Sequence, residues 1–507
     1  MAADTILART ARGAAWVVAW RMSTRLLGLC STLILVRLLA PDEFGLVALA
    51  AAFAAALDIC LAMGVEEQII RAKAPDRALY DTAFTFNLLR GLIVGGLLMA
   101  SAGPAAVFFA DARMEPVLLA LAASAALSGV ANIGVVDFRR ELRFEREFLL
   151  QLLPRLVGIT VTLGLAFWLH SHWALVGGIL ANRFGVVVMS YALHPFRPRL
   201  SLMAWRSLAG VSAWSWALSI ATTLRDRSDS LVIGRLLGPA AVGHYAVGVE
   251  VATLPSSELV DPICRACMPG FAANRRDSED GGRTDFLRVL GMLALLTLPA
   301  GMGISLLAGP VVALGFGQGW LAAVPVVQIL GVAGMLTLFG NVGAAMLNAH
   351  AKLGTLLAVV SSSAALRIAL LLLLTARFGI AGAALAIGIV AVLEHVVTVA
   401  LALGLLRLRV AALLRLVWRP AAASAAMALV LWTTGLGWSA PPDAALPAAW
   451  ALLSGMPVGA LTYGIVLLCL WLAAGRPPGA EADLLLMLRR IGRAKGRPAS
   501  PVAAQAD

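Results

Sequence analysis

Long, continuously apolar runs separated by short polar segments dominate the chain. Crossing the hydrocarbon core of a bilayer takes about 20 apolar residues in an α-helix. Strands of a membrane β-barrel would instead alternate apolar and polar residues. The pattern therefore predicts an all-α polytopic membrane protein with about 14 transmembrane helices. The predicted spans are residues 14–36, 44–65, 82–102, 116–136, 149–170, 173–193, 208–234, 243–268, 287–309, 321–347, 353–375, 379–405, 420–438 and 449–474.

The composition agrees with lipid as the main solvent. Hydrophobic residues make up 60% of the chain and charged residues 13%, whereas a soluble domain is about half apolar and a quarter charged. Several tryptophans near span ends (Trp173, Trp320 and Trp438) are expected to be interfacial anchors. Cys264-x-x-Cys267 has no second pair, so we expect neither a disulfide framework nor a metal site, and no cofactor.

The net charge of +12 is spread in small groups between the apolar runs. This spacing is typical of membrane topology and argues against nucleic acid as a partner. With the N-terminus in the cytoplasm, the inside segments hold 27 Lys and Arg, counting Arg288 at the start of its span, and the outside segments hold only Arg37, Arg113, Arg235 and Arg377. The contrast predicts an even number of spans with both termini inside, and the first helix acting as an uncleaved anchor.

Two stretches of the chain repeat each other. Arg37-Leu-Leu-Ala-Pro41-Asp-Glu-Phe-Gly45 matches Arg235-Leu-Leu-Gly-Pro239-Ala-Ala-Val-Gly243 at an offset of 198 residues, and Ala174-Leu-x-x-Gly-Ile179 matches Ala384-Leu-x-x-Gly-Ile389 at an offset of 210. Six spans separate the copies, so the repeat is parallel. We expect a first lobe at 1–206, a second lobe at 207–406, two trailing helices at 407–475, and a basic cytoplasmic tail at 476–507. Within the tail, Glu481–Gly496 is either an amphipathic helix on the inner leaflet or a disordered segment.

Charged side chains inside the spans mark candidate sites, because each costs about 2.5–3.5 kcal/mol at the bilayer centre. The first lobe has five intramembrane arginines against one carboxylate, Asp58. This excess predicts a cavity that attracts an anion, since arginine suits bidentate phosphate contacts. Arg21 and Arg183, near span ends, have the alternative of reaching to lipid headgroups. The candidate substrate-binding residues are Arg25, Arg90, Arg21, Arg155, Arg183 and Asn87, the last one turn from Arg90.

Acidic residues in the second lobe are candidates for carrying a coupling proton or Na⁺. They are Asp229, Glu250, Glu258, Asp261 and Glu394. Pro255 and Pro262 beside them favour a broken helix of the kind that lines transport sites. For Asp229 the alternative is an i,i+4 pair with Arg225 on the same helix. For the acidic residues beside the prolines it is structural pairing with Arg225, Arg227 or Arg265, and for Glu394-His395, a candidate proton relay, it is an ordinary hydrogen bond within the bundle.

The motifs of common enzyme sites are missing: the chain has no HExxH, GxxxxGK[ST] or GxSxG. The outside loops are short, for example Ser171–His172 after the fifth span. We therefore expect a protein that is not an enzyme.

The chain resembles the Wzx-type polysaccharide-flippase family of the MOP exporter superfamily. The resemblance rests on Arg37-Leu-Leu-x-Pro-x-x-Phe-Gly-Leu46 and its echo, on Phe138-Arg-Arg-Glu-Leu-Arg-Phe144 and on Arg197-Pro-Arg-Leu-Ser201. It implies two six-helix lobes with two trailing helices in the bacterial inner membrane. It also implies ion-driven flipping, by alternating access, of an oligosaccharide linked to undecaprenyl diphosphate, for exopolysaccharide, capsule or O-antigen assembly.

The partners implied by the resemblance are membrane lipids, the lipid-linked oligosaccharide, H⁺ or Na⁺, and a polymerase and glycosyltransferases of the same pathway. A lipid II or multidrug exporter of the same superfamily is the rival transport function. A membrane polysaccharide polymerase and a non-transporting assembly scaffold are the less favoured alternatives.

Overall fold

The computed structural model describes residues 2–61, 64–72, 75–208, 213–255, 279–477 and 479–482. Every regular element within these ranges is helical, as the apolar pattern predicts. The helices are α1 (Ala2–Leu38), α2 (Pro41–Cys60), α3 (Val65–Arg71), α4 (Arg77–Phe109), α5 (Met114–Gly129), α6 (Asp137–Arg140), α7 (Phe144–Leu169), α8 (Trp173–Leu193), α9 (Trp205–Leu208), α10 (Ala213–Leu237), α11 (Pro239–Pro255), α12 (Glu279–Leu306), α13 (Ala308–Gly315), α14 (Val324–Ala349), α15 (Leu353–Leu405), α16 (Val410–Thr433) and α17 (Ala445–Ala473). Two 3₁₀ turns, Ile133–Val136 and Gln318–Ala323, precede α6 and α14.

Nine helical stretches in the described part of the chain are long and apolar enough to cross a membrane, or ten if the bent pair around α5 and α6 is one span. Helices α1 and α10, which carry several charges, and α11, with 17 residues, are not among the nine. Within the described residues a helix overlaps each predicted span, but the exact number of 14 spans stays a prediction.

Two predicted spans share one helical stretch. Helix α15 has 53 residues, and its backbone leaves helical geometry at Gly379, with φ 60° and ψ −140°. A straight helix of that length would be about 80 Å long, far more than the roughly 30 Å of the hydrocarbon core. The positive φ, which glycine adopts without a Cβ penalty, divides the stretch where the sequence separates 353–375 from 379–405.

The predicted span 116–136 ends earlier than expected. Helix α5 stops at Gly129, and the helical segment that follows, Ile133–Arg140, is bent by 70° from it. The buried side chain of Asn132 causes the break, because its Oδ1 accepts from the backbone N of Gly134 at 3.0 Å and starts a 3₁₀ turn. Its Nδ2 donates to the carbonyl oxygen of Phe196 at 2.8 Å and ties the turn to the segment after α8.

The described residues form two compact units. The first draws on Met1–Gly248, Gly315–Val326 and Leu353–Val390, and the second on Val249–Leu314, Val327–Lys352 and Ala391–Asp507. The second unit has an apolar core around Phe286, Leu290 and Leu293 of α12. The division follows contacts, not the sequence repeat, so the lobes 1–206 and 207–406 and the boundaries after them stay predictions.

Candidate substrate and coupling sites

The two copies of the repeated segment pack against each other at the first turns of α2 and α11. A Cβ added to Gly45 would overlap the carbonyl oxygen of Pro239, and one added to Gly243 would overlap that of Pro41. The two glycines hold the same place in the two copies, so the contact is reciprocal, like an interface across a two-fold axis. We call the contact between these two turns the repeat junction.

Trp320 fills the space beside the repeat junction. Its ring packs edge-on against Phe44 of α2 and His244 of α11, with ring centroids 6.0 and 5.6 Å away. The indole Nε1 donates to the carbonyl oxygen of Val36 at 2.9 Å. Only 2% of Trp320 is exposed. Its prediction as an interfacial anchor is therefore wrong, because the 3₁₀ turn carries the ring inward.

The two arginines of the repeat reach across between the repeated halves. Arg37 donates from Nη2 to the carbonyl oxygen of Gly315, the last residue of α13, at 3.4 Å. Arg235 places its guanidinium 5.2 Å from the ring centroid of Phe108, next to the last residue of α4. Each half thus places its arginine at the end of a helix of the other half.

A cavity of about 270 Å³ lies among α1, α2, α7 and α8 in the first half. Arg155 is the one charged residue in its lining, and Nη2 of Arg155 lies 3.2 Å from where a Cβ on Gly28 of α1 would stand. Within the described ranges, no carboxylate pairs with Arg155. The polar lining residues are Ser31, Arg155, Thr162 and Asn182.

Arg90 of α4 pairs with Asp58 of α2. Nε lies 3.2 Å from Oδ1 and Nη2 lies 3.3 Å from Oδ2, which is a two-point contact. Both side chains are partly open, with 31% of Arg90 and 44% of Asp58 exposed. The pair uses the one carboxylate that the sequence places inside the predicted spans of the first lobe.

The remaining predicted substrate-binding residues are spread over three helices. Arg25 is half-buried on α1, Asn87 is half-buried on α4, and Arg183 is exposed on α8. The side chain of Arg21 lies outside what the structure describes. The structure thus places Arg155 in a defined cavity and Arg90 in an ion pair, while Ser31, Thr162 and Asn182 are cavity residues that sequence reasoning missed.

Asp229 of α10 sits in a buried polar cluster in the second half. Its Oδ2 accepts from the hydroxyl of Tyr245 on α11 and from Nη2 of Arg367 on α15, the latter at 3.0 Å. The side chains of Asp229 and Arg367 are 8% and 11% exposed. The sequence favoured pairing of Asp229 with Arg225, but the observed partner is Arg367, and Arg225 contacts Asp226 at 2.8 Å.

The other coupling candidates have less defined surroundings. Glu250 and Glu394 are half-buried. The ring of His395 packs against α14 at Gly340, where a Cβ would overlap it. Glu258, Asp261 and the Cys264-x-x-Cys267 pair lie outside the described residues.

The segment after α8 is extended and bound to the first turns of α4. Its backbone N–H groups at Arg199, Ser201 and Ala204 each donate to a buried side chain of α4. The segment includes the Arg197–Ser201 motif of the family resemblance. The acceptors are Asp81 Oδ1, Thr85 Oγ1 and Thr82 Oγ1, at 2.8, 2.9 and 3.1 Å.

His194 begins this extended segment. Burial lowers the pKa of its imidazole, and the carboxylate of Asp137, 3.4 Å from Nε2, opposes part of that shift. Nδ1 accepts from the backbone N of Phe196 at 3.2 Å, which places the proton of the neutral ring on Nε2.

The fold is shared with known membrane transporters. It is similar to that of the lipid II flippase MurJ in an inward closed conformation, with a TM-score of 0.69, 13% identity, and coverage of 90% of this chain and 99% of that chain. It is also similar to an inward-facing multidrug-resistance MATE family transporter of the MOP superfamily, with a TM-score of 0.60, 16% identity, and coverage of 76% and 94%. These likenesses show the fold, which is that of the MOP-type transporters.

Residues 34–325 match the model of the polysaccharide biosynthesis protein family. The chain belongs to this family, and the resemblance that the sequence motifs indicated is confirmed. A relative from Escherichia coli (strain K12), the lipopolysaccharide biosynthesis protein WzxC, is 27% identical over 68% of this chain and 70% of its own length. The succinoglycan biosynthesis transport protein ExoT of Rhizobium meliloti (strain 1021) is 24% identical over 66% of this chain and 68% of its own length.

Proposed function

We propose that this protein is a flippase that moves a lipid-diphosphate-linked oligosaccharide across the bacterial inner membrane for exopolysaccharide, capsule or O-antigen biosynthesis. Its family, and relatives named for lipopolysaccharide biosynthesis and succinoglycan transport, support this function. In this proposal both termini are cytoplasmic, and the protein acts as a transporter, not an enzyme. Glycosyltransferases of the same pathway work before it and a polymerase works after it.

The observation that carries the proposal is the excess of arginine in the first half. Asp58 is already paired with Arg90, and Arg155 lines a cavity without a carboxylate partner in the described residues. A guanidinium in a low-dielectric region needs a compensating anion. A diphosphate headgroup supplies that charge, and its oxygens match the fork geometry of arginine.

The repeat junction supports alternating access as the mechanism. The distribution of Lys and Arg supports an outer position for the turns at Arg37 and Arg235. In this arrangement the junction closes the outer end of the first unit. Release of substrate to the outside then requires the turns at Gly45 and Gly243 to separate.

The coupling step of the proposal uses H⁺ or Na⁺ at an acidic residue of the second half. Asp229 already neutralises Arg367, so a structural role suits it better than ion exchange. Glu250, Glu394 and, beyond the described residues, Glu258 and Asp261 are the stronger candidates. Binding of the ion there changes the relative free energies of the inward-open and outward-open states.

A MOP-type fold alone does not separate this function from lipid II or drug export, because one fold serves many functions. Deletion of the gene tests the choice. We expect loss of surface polysaccharide and accumulation of its lipid-linked oligosaccharide. The intact gene should reverse both changes. Unchanged surface polysaccharide in a viable deletion strain would overturn the proposal, and loss of viability in every strain, including those that make no polysaccharide, would indicate lipid II.

A further inference from the structure

The repeat register relates the first-half cavity to the Asp229 cluster of the second half. Asp229 lies six residues before Arg235, as Ser31 lies six before Arg37. Tyr245 lies two residues after Gly243, as Val47 lies two after Gly45. Ser31 and Val47 both line the cavity. The first half therefore has serine and valine where the second has its carboxylate and its phenol.

The arginines of the two halves lie on the fifth predicted span of each half, two residues apart in the repeat register. Arg155 lies 19 residues before Ala174, and Arg367 lies 17 residues before Ala384, the matched alanine of the second repeat. Both arginines reach the first helix of their own half: Arg367 contacts Asp229 of α10, and Arg155 lies against α1 at Gly28, one turn from Ser31. The same arrangement of helices thus presents one arginine in each half.

The consequence for charge differs between the halves. In the second half, Asp229 neutralises Arg367, and the hydroxyl of Tyr245 donates to the same carboxylate. In the first half, the space at Ser31 and Val47 is part of the open cavity, and Arg155 keeps its charge. An anion that enters the cavity would take the place that the Asp229 carboxylate holds in the other half.

We propose that the first-half cavity is a phosphate-binding site in which Arg155 supplies the charge. The inference rests on the proposed function, and it names the part of the protein that recognises the phosphate of the lipid-linked substrate. Asn182, which also lines the cavity, has the amide donors that phosphate oxygens accept from. Ligand pockets are typically about 300–1,000 Å³, so 270 Å³ suits a phosphate with its adjoining group and not a whole oligosaccharide.

The sharpest test copies the second half into the first. Ser31→Asp installs the carboxylate that neutralises Arg367 in the other half, and Ser31→Asn is its matched control, equal in shape but uncharged. Arg155→Ala and Arg155→Lys form a second pair. The full-length variants, purified in dodecyl maltoside, are titrated with geranylgeranyl diphosphate and with inorganic pyrophosphate, and their thermal unfolding is compared to exclude misfolded protein.

We expect Ser31→Asp and Arg155→Ala to weaken binding at least tenfold, because a hydrogen bond to a charged group contributes about 1.5–3 kcal/mol, or a factor of about 10 to 100. Ser31→Asn should bind within about threefold of the unmodified protein, and Arg155→Lys should retain part of the affinity. Equal binding by Ser31→Asp and Ser31→Asn overturns the proposal. So does failure of both probes to bind the unmodified protein.

The probes also distinguish the sources of the phosphate. Binding of geranylgeranyl diphosphate alone supports a lipid-linked diphosphate, binding of both probes supports recognition of phosphate itself, and displacement by phosphatidylglycerol supports a phospholipid headgroup.

A deletion strain that expresses the variants separates the two proposals. If Ser31→Asp restores surface polysaccharide as fully as Ser31→Asn, the phosphate site is wrong and the flippase proposal stands. If deletion leaves the polysaccharide unchanged, the flippase proposal is wrong whatever the binding data show.

Discussion

Removing the charge of Asp229 should destabilise the protein by leaving Arg367 buried without its partner. Asp229→Asn preserves the shape of the side chain but not the ion pair. The two side chains are 8% and 11% exposed, and Nη2 of Arg367 lies 3.0 Å from the carboxylate. Breaking a buried ion pair by removing one partner costs about 3–5 kcal/mol. We expect a loss of that size, seen as a fall of several degrees in the unfolding temperature.

The assay is thermal unfolding of the purified protein in dodecyl maltoside, followed by intrinsic fluorescence. Glu141→Gln is the matched control, because it breaks a pair between Glu141 and Arg143 that is 45% and 49% exposed. Exposed pairs contribute about 0–1 kcal/mol, so this variant should unfold close to the unmodified protein.

A second substitution identifies the cause of the loss. Arg367→Met in the Asp229→Asn background removes the unpaired cation and should recover most of the stability, since apolar replacement of a buried pair is often neutral. An Asp229→Asn protein as stable as the Glu141→Gln control would refute the reasoning. A double variant no more stable than Asp229→Asn would show that the lone guanidinium is not the cause.

Three further predictions concern the junction, the arginines and the extended segment. Gly45→Ala or Gly243→Ala should abolish polysaccharide export at normal membrane levels of the protein, because the added Cβ overlaps a carbonyl oxygen across the repeat junction. The control Gly103→Ala, whose Cβ would face open space, should export normally. Equal export by all three variants would contradict the packing. Arg90→Ala and Arg25→Ala should each abolish export. Asp58→Asn breaks the ion pair but keeps the Arg90 cation, so this variant should still export polysaccharide. Normal export from a well-expressed Arg25→Ala/Arg90→Ala protein would remove these arginines from the mechanism. Burial lowers the folded-state pKa of His194, so the unfolded state binds more protons below about pH 6.5 and stability should fall as pH drops from there through the folded pKa. His194→Gln should flatten that part of the plot of unfolding temperature against pH. An unchanged plot would assign the pH dependence to another group.

Much of the fold follows from the sequence because apolar runs of bilayer length leave the backbone few alternatives to helices. The break at Gly379 and the duplicated Arg-x-x-x-Pro segments lie where the pattern placed them. The stop of α5 at Gly129 does not follow from hydropathy. It depends on Asn132, whose partners lie in the turn it starts and 64 residues further along the chain.

Local spacing could identify charged residues inside the spans but not their partners. Arg90 pairs with Asp58, 32 residues away, and Arg367 with Asp229, 138 residues away. Such pairs arise when separate helices pack together, which the spacing along one helix does not encode. The arginine excess predicted a cavity that attracts an anion, and the repeat offset, which aligns Ser31 with Asp229, was the signal that could have added Ser31 to its lining.

The most direct test of the flippase is the leaflet on which lipid-linked oligosaccharide accumulates when the gene is deleted. Right-side-out and inverted membrane vesicles are prepared from the deletion strain and treated with a sugar-modifying reagent that does not cross the membrane. The two preparations report the lipid-linked oligosaccharide on the outer and on the inner leaflet. The account predicts accumulation on the inner leaflet, with normal distribution restored by the intact gene. Accumulation on the outer leaflet would place the block after translocation and contradict the flippase in favour of a polymerase-side role.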